Sequence, residues 1–354
     1  MYVNKGSVTA IGIIFPVFAA IALTLRIYAI KLLRRGMNID DILIIPATFL
    51  TVCAGVAMVI GAQMDIVGSH SLPAITAEEQ HRVGKFEYAF WIGHVLATGF
   101  IKLAILFLFR RLFKGVAYRT AFDYANWTLI VIVVAWTLTF LFLAIFSCGS
   151  NPSAIWESLE SLRTKCVDTF ALYTANSILS WIMDLAILIE PLLMIGRLNM
   201  QRRRKIQTSL VFLCSILAVV AGLLRMIIWI QIHIQDVTGP TTKILGLDLI
   251  TADQEAIVSI ILFWTYIEIG IGLLVACLPP CAPLMDKISL SPLRSMLSSF
   301  SSRNFLLNFS QGSRSREVDT WGAPASQSWT ARPKKSTGLS TDDEIELVLA
   351  SERV

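Results

Sequence analysis

Seven long apolar stretches, separated by short polar segments, make up most of the chain before residue 280. Each is 21 to 27 residues long, and at a rise of about 1.5 Å per residue roughly 20 helical residues cross a hydrocarbon core. The stretches occupy residues 8–30, 42–62, 86–109, 127–147, 172–194, 209–235 and 256–278. The pattern predicts an all-α fold, a polytopic bundle of seven transmembrane helices that fills residues 1–285.

The apolar pattern stops after this region. Residues 286–354 mix Ser, Thr, Pro and Gly with charged residues, a composition that cannot bury a hydrophobic core. We therefore expect a second part of the chain, a largely disordered C-terminal tail.

Composition agrees with the pattern, since 55% of the residues are hydrophobic, 16% are charged, and the mean hydropathy is +0.67. A soluble domain carries about 25% charged residues. The balance excludes a soluble enzyme, and six cysteines in 354 residues do not indicate a small disulfide scaffold. The chain is expected to be a multi-pass protein of the plasma membrane or an endomembrane, with the lipid bilayer as its first partner.

Basic residues are concentrated in alternate loops, which sets the orientation and explains much of the net charge of +5 without nucleic acid as a partner. By the positive-inside rule these loops are cytosolic, so we expect the N-terminus outside and the tail in the cytosol. The basic residues of these loops are Lys31, Arg34, Arg35, Arg110, Arg111, Lys114, Arg119, Arg197, Arg202, Arg203, Arg204 and Lys205.

One predicted outer loop holds two cysteines, Cys148 and Cys166. They are the two cysteines that fall in predicted outer loops, where an oxidising compartment permits a disulfide. We predict that they are bonded.

Seven charged residues lie within the apolar stretches, where each costs about 2.5 to 3.5 kcal/mol at mid-bilayer. They should therefore face one another or water. On the third stretch Glu87, His94 and Lys102 fall on one helix face, and on the fifth Asp184 follows Ser180 by four residues. The intramembrane polar cluster predicted in this way comprises Lys102, Asp184, Glu268, Arg225, Glu190, Arg26, His94 and Glu87.

Depth, counted from the ends of the stretches, suggests the partners. Lys102 matches Asp184 or Glu268 near mid-membrane, and Arg26 matches Glu190 nearer the cytosol. Arg225 lies nearer the outer face and has no obvious partner, with Glu87 as one candidate. Three roles stay open for these groups: structural pairing of helices, a ligand or conformational switch, and catalysis or proton transfer.

No cofactor is predicted. The seventh stretch has no lysine for a retinal Schiff base, and His94 and His233, at different depths, are the histidines within stretches, so haem is not indicated. No metal-binding or catalytic motif such as HExxH, a P-loop or GxSxG occurs. Whether the protein is an enzyme stays open.

Short motifs spread along the bundle carry a family resemblance. They are Leu25–Ala29, Asp40, Asp41, Glu87, Tyr88, Ile101–Phe107, Arg110–Phe113, Cys148, Pro152, Trp156, Cys166, Asp184, Pro191, Leu198–Met200, Leu224, Arg225, Glu268 and Cys277–Pro279. In this order they resemble the fungal family of seven-helix integral membrane proteins whose shared region is called the fungal rhodopsin domain. The chain departs from the family at Glu190, where an apolar residue is usual, and at Ile42, where tryptophan is common.

The resemblance implies one of two functions. Members include receptor-like proteins implicated in sensing host surfaces, which suggests a sensor that binds a small lipophilic ligand or surface cue and signals to a cytosolic protein. The basic segment Arg197, Arg202, Arg203, Arg204 and Lys205 would then be its cytosolic coupling loop. The family also includes the membrane protein of the satratoxin biosynthetic cluster, which suggests an accessory or tailoring protein of secondary metabolism acting on a lipophilic substrate. Apart from the resemblance, a third hypothesis is that the protein is a scaffold for other membrane proteins.

Overall fold

The computed structural model describes most of the chain up to residue 287. The described residues are 3–32, 34, 36–68, 77–112, 119–149, 153–157, 159–195, 202–234, 241–244, 247–250 and 254–287. Two compact units divide the chain, Met1–Leu290 and Ser291–Val354. The second unit, which contains most of the predicted tail, lies outside the described residues.

Seven helices are long and apolar enough to cross a membrane, as the sequence predicts. They are α1 (Lys5–Leu32), α2 (Ile39–Gln63), α3 (Ala77–Leu112), α4 (Arg119–Phe146), α7 (Thr169–Ile195), α8 (Arg202–Ile234) and α9 (Gln254–Lys287). Most of them run past the apolar stretch that marks them, because a helix continues into the interfacial region where its ends can be polar. In α3, for example, Glu78 and Glu79 occupy the first turn, and Arg110 and Arg111 occupy the last. Acidic residues at the start of a helix and basic residues at its end interact favourably with the helix dipole.

The loop between α8 and α9 contains a short hairpin that the apolar pattern did not indicate. Strand β1 (Thr241–Ile244) pairs antiparallel with β2 (Leu247–Ile250), with Thr241 opposite Ile250. The two strands hold several β-branched residues, which suit a strand, but runs of four residues are too short to stand out from a loop. The fold remains a seven-helix bundle.

Helices α3 and α9 lie at the centre of the bundle. In their most apolar windows 61% and 67% of the residues are buried, against 22% to 39% in the other five. Large apolar side chains such as Phe18, Phe49 and Phe142 point outward, each at least half exposed, as expected for a surface that meets lipid. Helices α3 and α9 therefore contribute the largest buried shares to the bundle interior.

Small residues let helices approach closely where lipid supplies no hydrophobic drive for association. A methyl group added at Gly55 of α2 would lie 2.3 Å from Pro16 Cγ of α1 and 2.3 Å from Tyr266 Oη of α9. One added at Gly270 of α9 would lie 2.3 Å from the ring of Phe15. Helices α1, α2 and α9 therefore approach one another closely at these glycine residues.

The predicted disulfide between Cys148 and Cys166 is confirmed. It closes a loop that contains two short helices, α5 (Ala154–Glu157) and α6 (Leu159–Lys165). Trp156 of α5 packs against α3, with its ring centroid 5.8 Å from that of Tyr88 and 5.9 Å from Lys85 Nζ. The disulfide loop thus rests on the end of α3 that the charge pattern places outside.

Candidate functional site

A buried ion pair joins α3 to α7 in the middle of the bundle. Lys102 contacts Asp184, and the Lys102 ammonium also donates a hydrogen bond of 3.1 Å to the Ser180 carbonyl oxygen. The side chains of Lys102 and Asp184 are 4% and 18% exposed. Of the two carboxylates considered from sequence for Lys102, the structure pairs it with Asp184.

A second buried ion pair joins α8 to α9. Arg225 contacts Glu268 and donates to it from Nη2 to Oε1 over 3.2 Å, while Arg225 Nη1 lies 3.1 Å from His94 Nε2 of α3. Glu87, the candidate partner considered from sequence, is therefore not the residue that pairs with Arg225. Counting depth does not specify which helices are neighbours, and the long arginine side chain reaches a partner at another depth on the adjacent α9.

The two pairs meet at Gly222 of α8. A carbon added there would lie 3.4 Å from Asp184 Oδ2 and 3.9 Å from Glu268 Cδ. We call His94, Lys102, Asp184, Arg225 and Glu268 the central ionic cluster. Two cations face two carboxylates, which satisfies the requirement that buried charge be paired.

A second cluster lies near the ends of the helices predicted to be cytosolic. Arg26 of α1 donates from Nε to Asp41 Oδ1 (2.8 Å), from Nη2 to Asp40 Oδ2 (2.7 Å) and from Nη1 to the Ala276 carbonyl oxygen (2.8 Å). Arg111 of α3 lies 3.0 Å from Asp40 Oδ2. We call Arg26, Asp40, Asp41 and Arg111 the cytosolic clamp, because they join α1, α2, α3 and α9.

This arrangement corrects the predicted partnership of Arg26 with Glu190. The apolar pattern places Asp40 and Asp41 in the loop before the stretch that begins at residue 42, whereas α2 begins at Ile39 and buries both. Their acidic charge at the first turn of a helix also suits the helix dipole. The sequence signal that could have identified them is the Asp-Asp pair itself, directly before a span.

The other predicted members of the polar cluster lie elsewhere. Glu190 is buried beside the side chain of Asn126. Glu87 is half-buried on α3 near Tyr173 of α7, and no ion pair of Glu87 occurs within the described ranges. Arg197 lies outside the described residues. Arg202, Arg203, Arg204 and Lys205 form the first turn of α8.

Aromatic rings separate the central ionic cluster from the outer end of the bundle. Tyr173 of α7 has its ring centroid 4.5 Å from that of Trp91 on α3 and 4.9 Å from that of Trp229 on α8. All three side chains are buried. A molecule that enters from outside would therefore meet flat aromatic surfaces before the charged groups.

The described part of the chain contains no group of three or more His, Cys, Asp or Glu side chains that could hold a metal ion.

Seven membrane-crossing helices around paired interior charges define an integral membrane protein of the seven-helix class. Comparison with known families narrows this to one. The family model for the fungal rhodopsin domain matches residues 25–287, so the chain belongs to the fungal rhodopsin domain family.

A relative is known from Metarhizium anisopliae, the polyenoic acids biosynthesis gene cluster protein Ba17b. It is 27% identical over 292 residues, which cover 78% of this chain and 73% of the relative. No solved structure matches the chain.

Proposed function

We propose that the protein is a receptor-like membrane sensor, in which a small molecule acts on the central ionic cluster and the change reaches the cytosolic clamp. The observation that carries the proposal is that α3 and α9 contribute to both clusters. Helix α3 supplies His94 and Lys102 to the first and Arg111 to the second. Helix α9 supplies Glu268 to the first and the Ala276 carbonyl oxygen to the second.

The physical basis is competition for buried partners. Each charge of the central ionic cluster is stable in the bundle interior because an opposite charge faces it. A ligand that binds one partner better in a rearranged bundle shifts the population toward that arrangement. Since α3 carries groups at both depths on one continuous helix, its displacement would alter the contact between Arg111 and Asp40.

The test is whether a lesion in the central ionic cluster alters the cytosolic end of the bundle. Spin labels placed at the exposed positions Ile42 of α2 and Tyr124 of α4 report the separation of α2 from the α3–α4 pair. The other cysteines are first replaced by serine, and the disulfide-bonded Cys148 and Cys166 are kept. We expect Asp184→Asn to add a second population to the distance distribution measured by pulsed electron resonance.

Two further variants make the result decisive. Lys102→Met combined with Asp184→Leu removes both charges and leaves no unpaired ion, so a folding defect of the single variant does not obscure the outcome. Thr48→Val is the matched control, because this buried hydroxyl already bonds the Ile44 carbonyl oxygen of its own helix. Identical distributions in all variants would show that the two clusters are independent and would refute the sensor.

One observation favours a second function, an accessory or tailoring role in secondary metabolism. The relative from Metarhizium anisopliae is named for a polyenoic acid biosynthesis gene cluster. Asp184, Lys102 or Glu268 would then act as acid or base on a lipophilic intermediate. Loss of a metabolite conversion in isolated membranes of Asp184→Asn, with an unchanged distance distribution, would favour this function over the sensor.

A further inference from the structure

One face of α7 is polar and turns toward α3 and α8. Tyr173, Asn176, Ser180 and Asp184 recur at steps of three or four residues, which places them on one side of a helix. Tyr173 packs against Trp91 and Trp229, and Asp184 pairs with Lys102. Because the two ends of this face meet α3 and α8, the residues between them face the same interior.

Several polar atoms on this face are sealed from solvent without a hydrogen-bond partner among the described residues. They are Asn176 Oδ1 and Nδ2, Ser177 Oγ, Ser180 Oγ and Trp181 Nε1. Asn176, Ser177 and Ser180 are each at most 1% exposed. A buried amide or hydroxyl in a folded protein nearly always has a partner, so this concentration requires an explanation.

Other hydroxyl groups in the bundle form hydrogen bonds within their own helix. Thr48, Thr51 and Thr98 each donate to the carbonyl oxygen four residues earlier in their own helix, at 2.7 to 2.8 Å. Such back-bonding is the usual solution for hydroxyls inside a helix. Ser177 and Ser180 do not make it, so their hydroxyl groups remain available to a partner from outside α7.

An unpartnered atom on α3 lies at matching depth. His94 bonds Arg225 through Nε2, which leaves Nδ1 sealed from solvent without a partner in the described part of the chain. His94 follows Trp91 by three residues, as Asn176 follows Tyr173, so both lie about 4.5 Å along the helix axis below the aromatic contact. Imidazole and amide thus occupy the same level on facing helices.

We propose that Asn176, Ser177, Ser180 and His94 Nδ1 form a subsite for the uncharged polar head of a flat, unsaturated amphipathic molecule. The head would be a group that both donates and accepts hydrogen bonds, such as a hydroxyl or a primary amide. Such a molecule would be the ligand of the sensor proposed above. The subsite depends on that proposed function in one respect, namely that a molecule enters the bundle.

The paired charges of the interior and the flat aromatic rings beside it indicate this class of ligand. The cations of the central ionic cluster already face Asp184 and Glu268, so an ionised head would add an unpaired charge to the interior. The amide and hydroxyl groups satisfy a neutral donor and acceptor instead. The rings of Trp91, Tyr173 and Trp229 offer flat faces to an unsaturated body.

The subsite is closed in this structure, because its polar atoms have no contact with solvent. Binding therefore requires α7 to separate from α3 and α8. The closed arrangement leaves polar groups unpaired, whereas an open arrangement with a bound head pairs them, so the ligand binds the open state preferentially. The same separation would pull Asp184 away from Lys102.

The experiment uses the full chain in lipid nanodiscs and four pyrene probes that share the ring and a butyl linker. Their heads are an alcohol, a primary amide, an ionised carboxylate and plain hydrocarbon. Quenching of tryptophan emission by pyrene measures binding, and empty nanodiscs correct for partition into lipid. We expect the alcohol and the amide to bind at least tenfold more tightly than the hydrocarbon and the carboxylate.

Asn176→Leu should abolish this preference for polar heads and should leave the melting temperature of the probe-free protein unchanged or higher, because it removes unpaired polar atoms at similar volume. Ser180→Ala should reduce the preference in the same direction. Thr98→Val is the matched control on the facing helix, since its hydroxyl is already satisfied, and it should retain the full preference.

Two results overturn the inference. Equal binding of all four probes, or a lower melting temperature of Asn176→Leu with no head-group preference in the native chain, would mean that the polar face only holds structural water. Tighter binding of the carboxylate than of the alcohol would refute an uncharged head. The failure of the sensor is separate: head-selective binding with no coupling between the clusters keeps the subsite and rejects signalling.

Discussion

Arg26 of α1 uses three separate nitrogens to bond two other helices, α2 and α9, and lysine cannot reproduce this geometry. Its Nε, Nη2 and Nη1 atoms bond Asp41, Asp40 and the Ala276 carbonyl oxygen at 2.7 to 2.8 Å. A lysine ammonium cannot span these acceptors. We predict that Arg26→Lys lowers the free energy of unfolding by about 2 kcal/mol, since hydrogen bonds to charged groups contribute about 1.5 to 3 kcal/mol each.

Arg111→Lys provides the comparison at the same cluster. Its side chain is 30% exposed and contacts the carboxylates from the rim at 3.0 Å or more, where a point charge serves nearly as well. Thermal unfolding of the full chain in detergent measures both variants. Equal losses would contradict the distinction between a buried three-way contact and a peripheral one.

Residue-scale prediction from the sequence was partly successful, and the reasons are physical. The cost of intramembrane charge selected Lys102, Asp184, Arg225 and Glu268, which do meet in one cluster. Partner choice failed where it depended on helix rotation and boundaries. Helix α2 begins three residues before the apolar stretch, and this difference was enough to hide the aspartates that bind Arg26.

At the scale of helices, close packing of α1, α2 and α9 depends on glycine. A side chain at Gly55 would overlap Pro16 of α1 and Tyr266 of α9. We predict that Gly55→Ala lowers the free energy of unfolding by about 1 to 3 kcal/mol, the usual cost of overpacking. The melting temperature in detergent should fall accordingly.

Gly93→Ala on α3 is the matched control for this substitution. A methyl group there meets nothing within 4 Å, and alanine favours a helix over glycine by about 0.5 to 1 kcal/mol. Its melting temperature should stay the same or rise. If both alanine variants melt alike, the close approach of the three helices does not limit stability.

The number and type of the membrane-crossing elements followed from the sequence because about 20 apolar residues in a row have essentially one solution in a bilayer. Helix ends did not follow, since residues such as Glu78 or Arg111 continue a helix without being apolar. Strands β1 and β2 were missed because four residues carry too little pattern to identify a strand.

For the whole molecule, the arrangement of basic residues predicts that the disulfide loop is outside and the loop between α3 and α4 is in the cytosol. A glycosylation acceptor sequence inserted after Glu157 should therefore be modified when the chain is expressed in a eukaryotic cell. The same sequence inserted within residues 113–118 should stay unmodified. A shift in mass on glycosidase treatment measures the difference. Modification of the second insertion and not of the first would show that the orientation in the membrane is the opposite of the predicted one.

The two roles of α3 have a consequence for exchange of parts between family members. Among the described residues, α3 is the helix that brings charged side chains to both the central ionic cluster and the cytosolic clamp. A chimera that received only α3 from a relative would carry donors selected for acceptors it no longer has. Single-helix grafts should therefore be tolerated worst at α3, and the bundle should evolve as one coupled unit rather than as interchangeable helices.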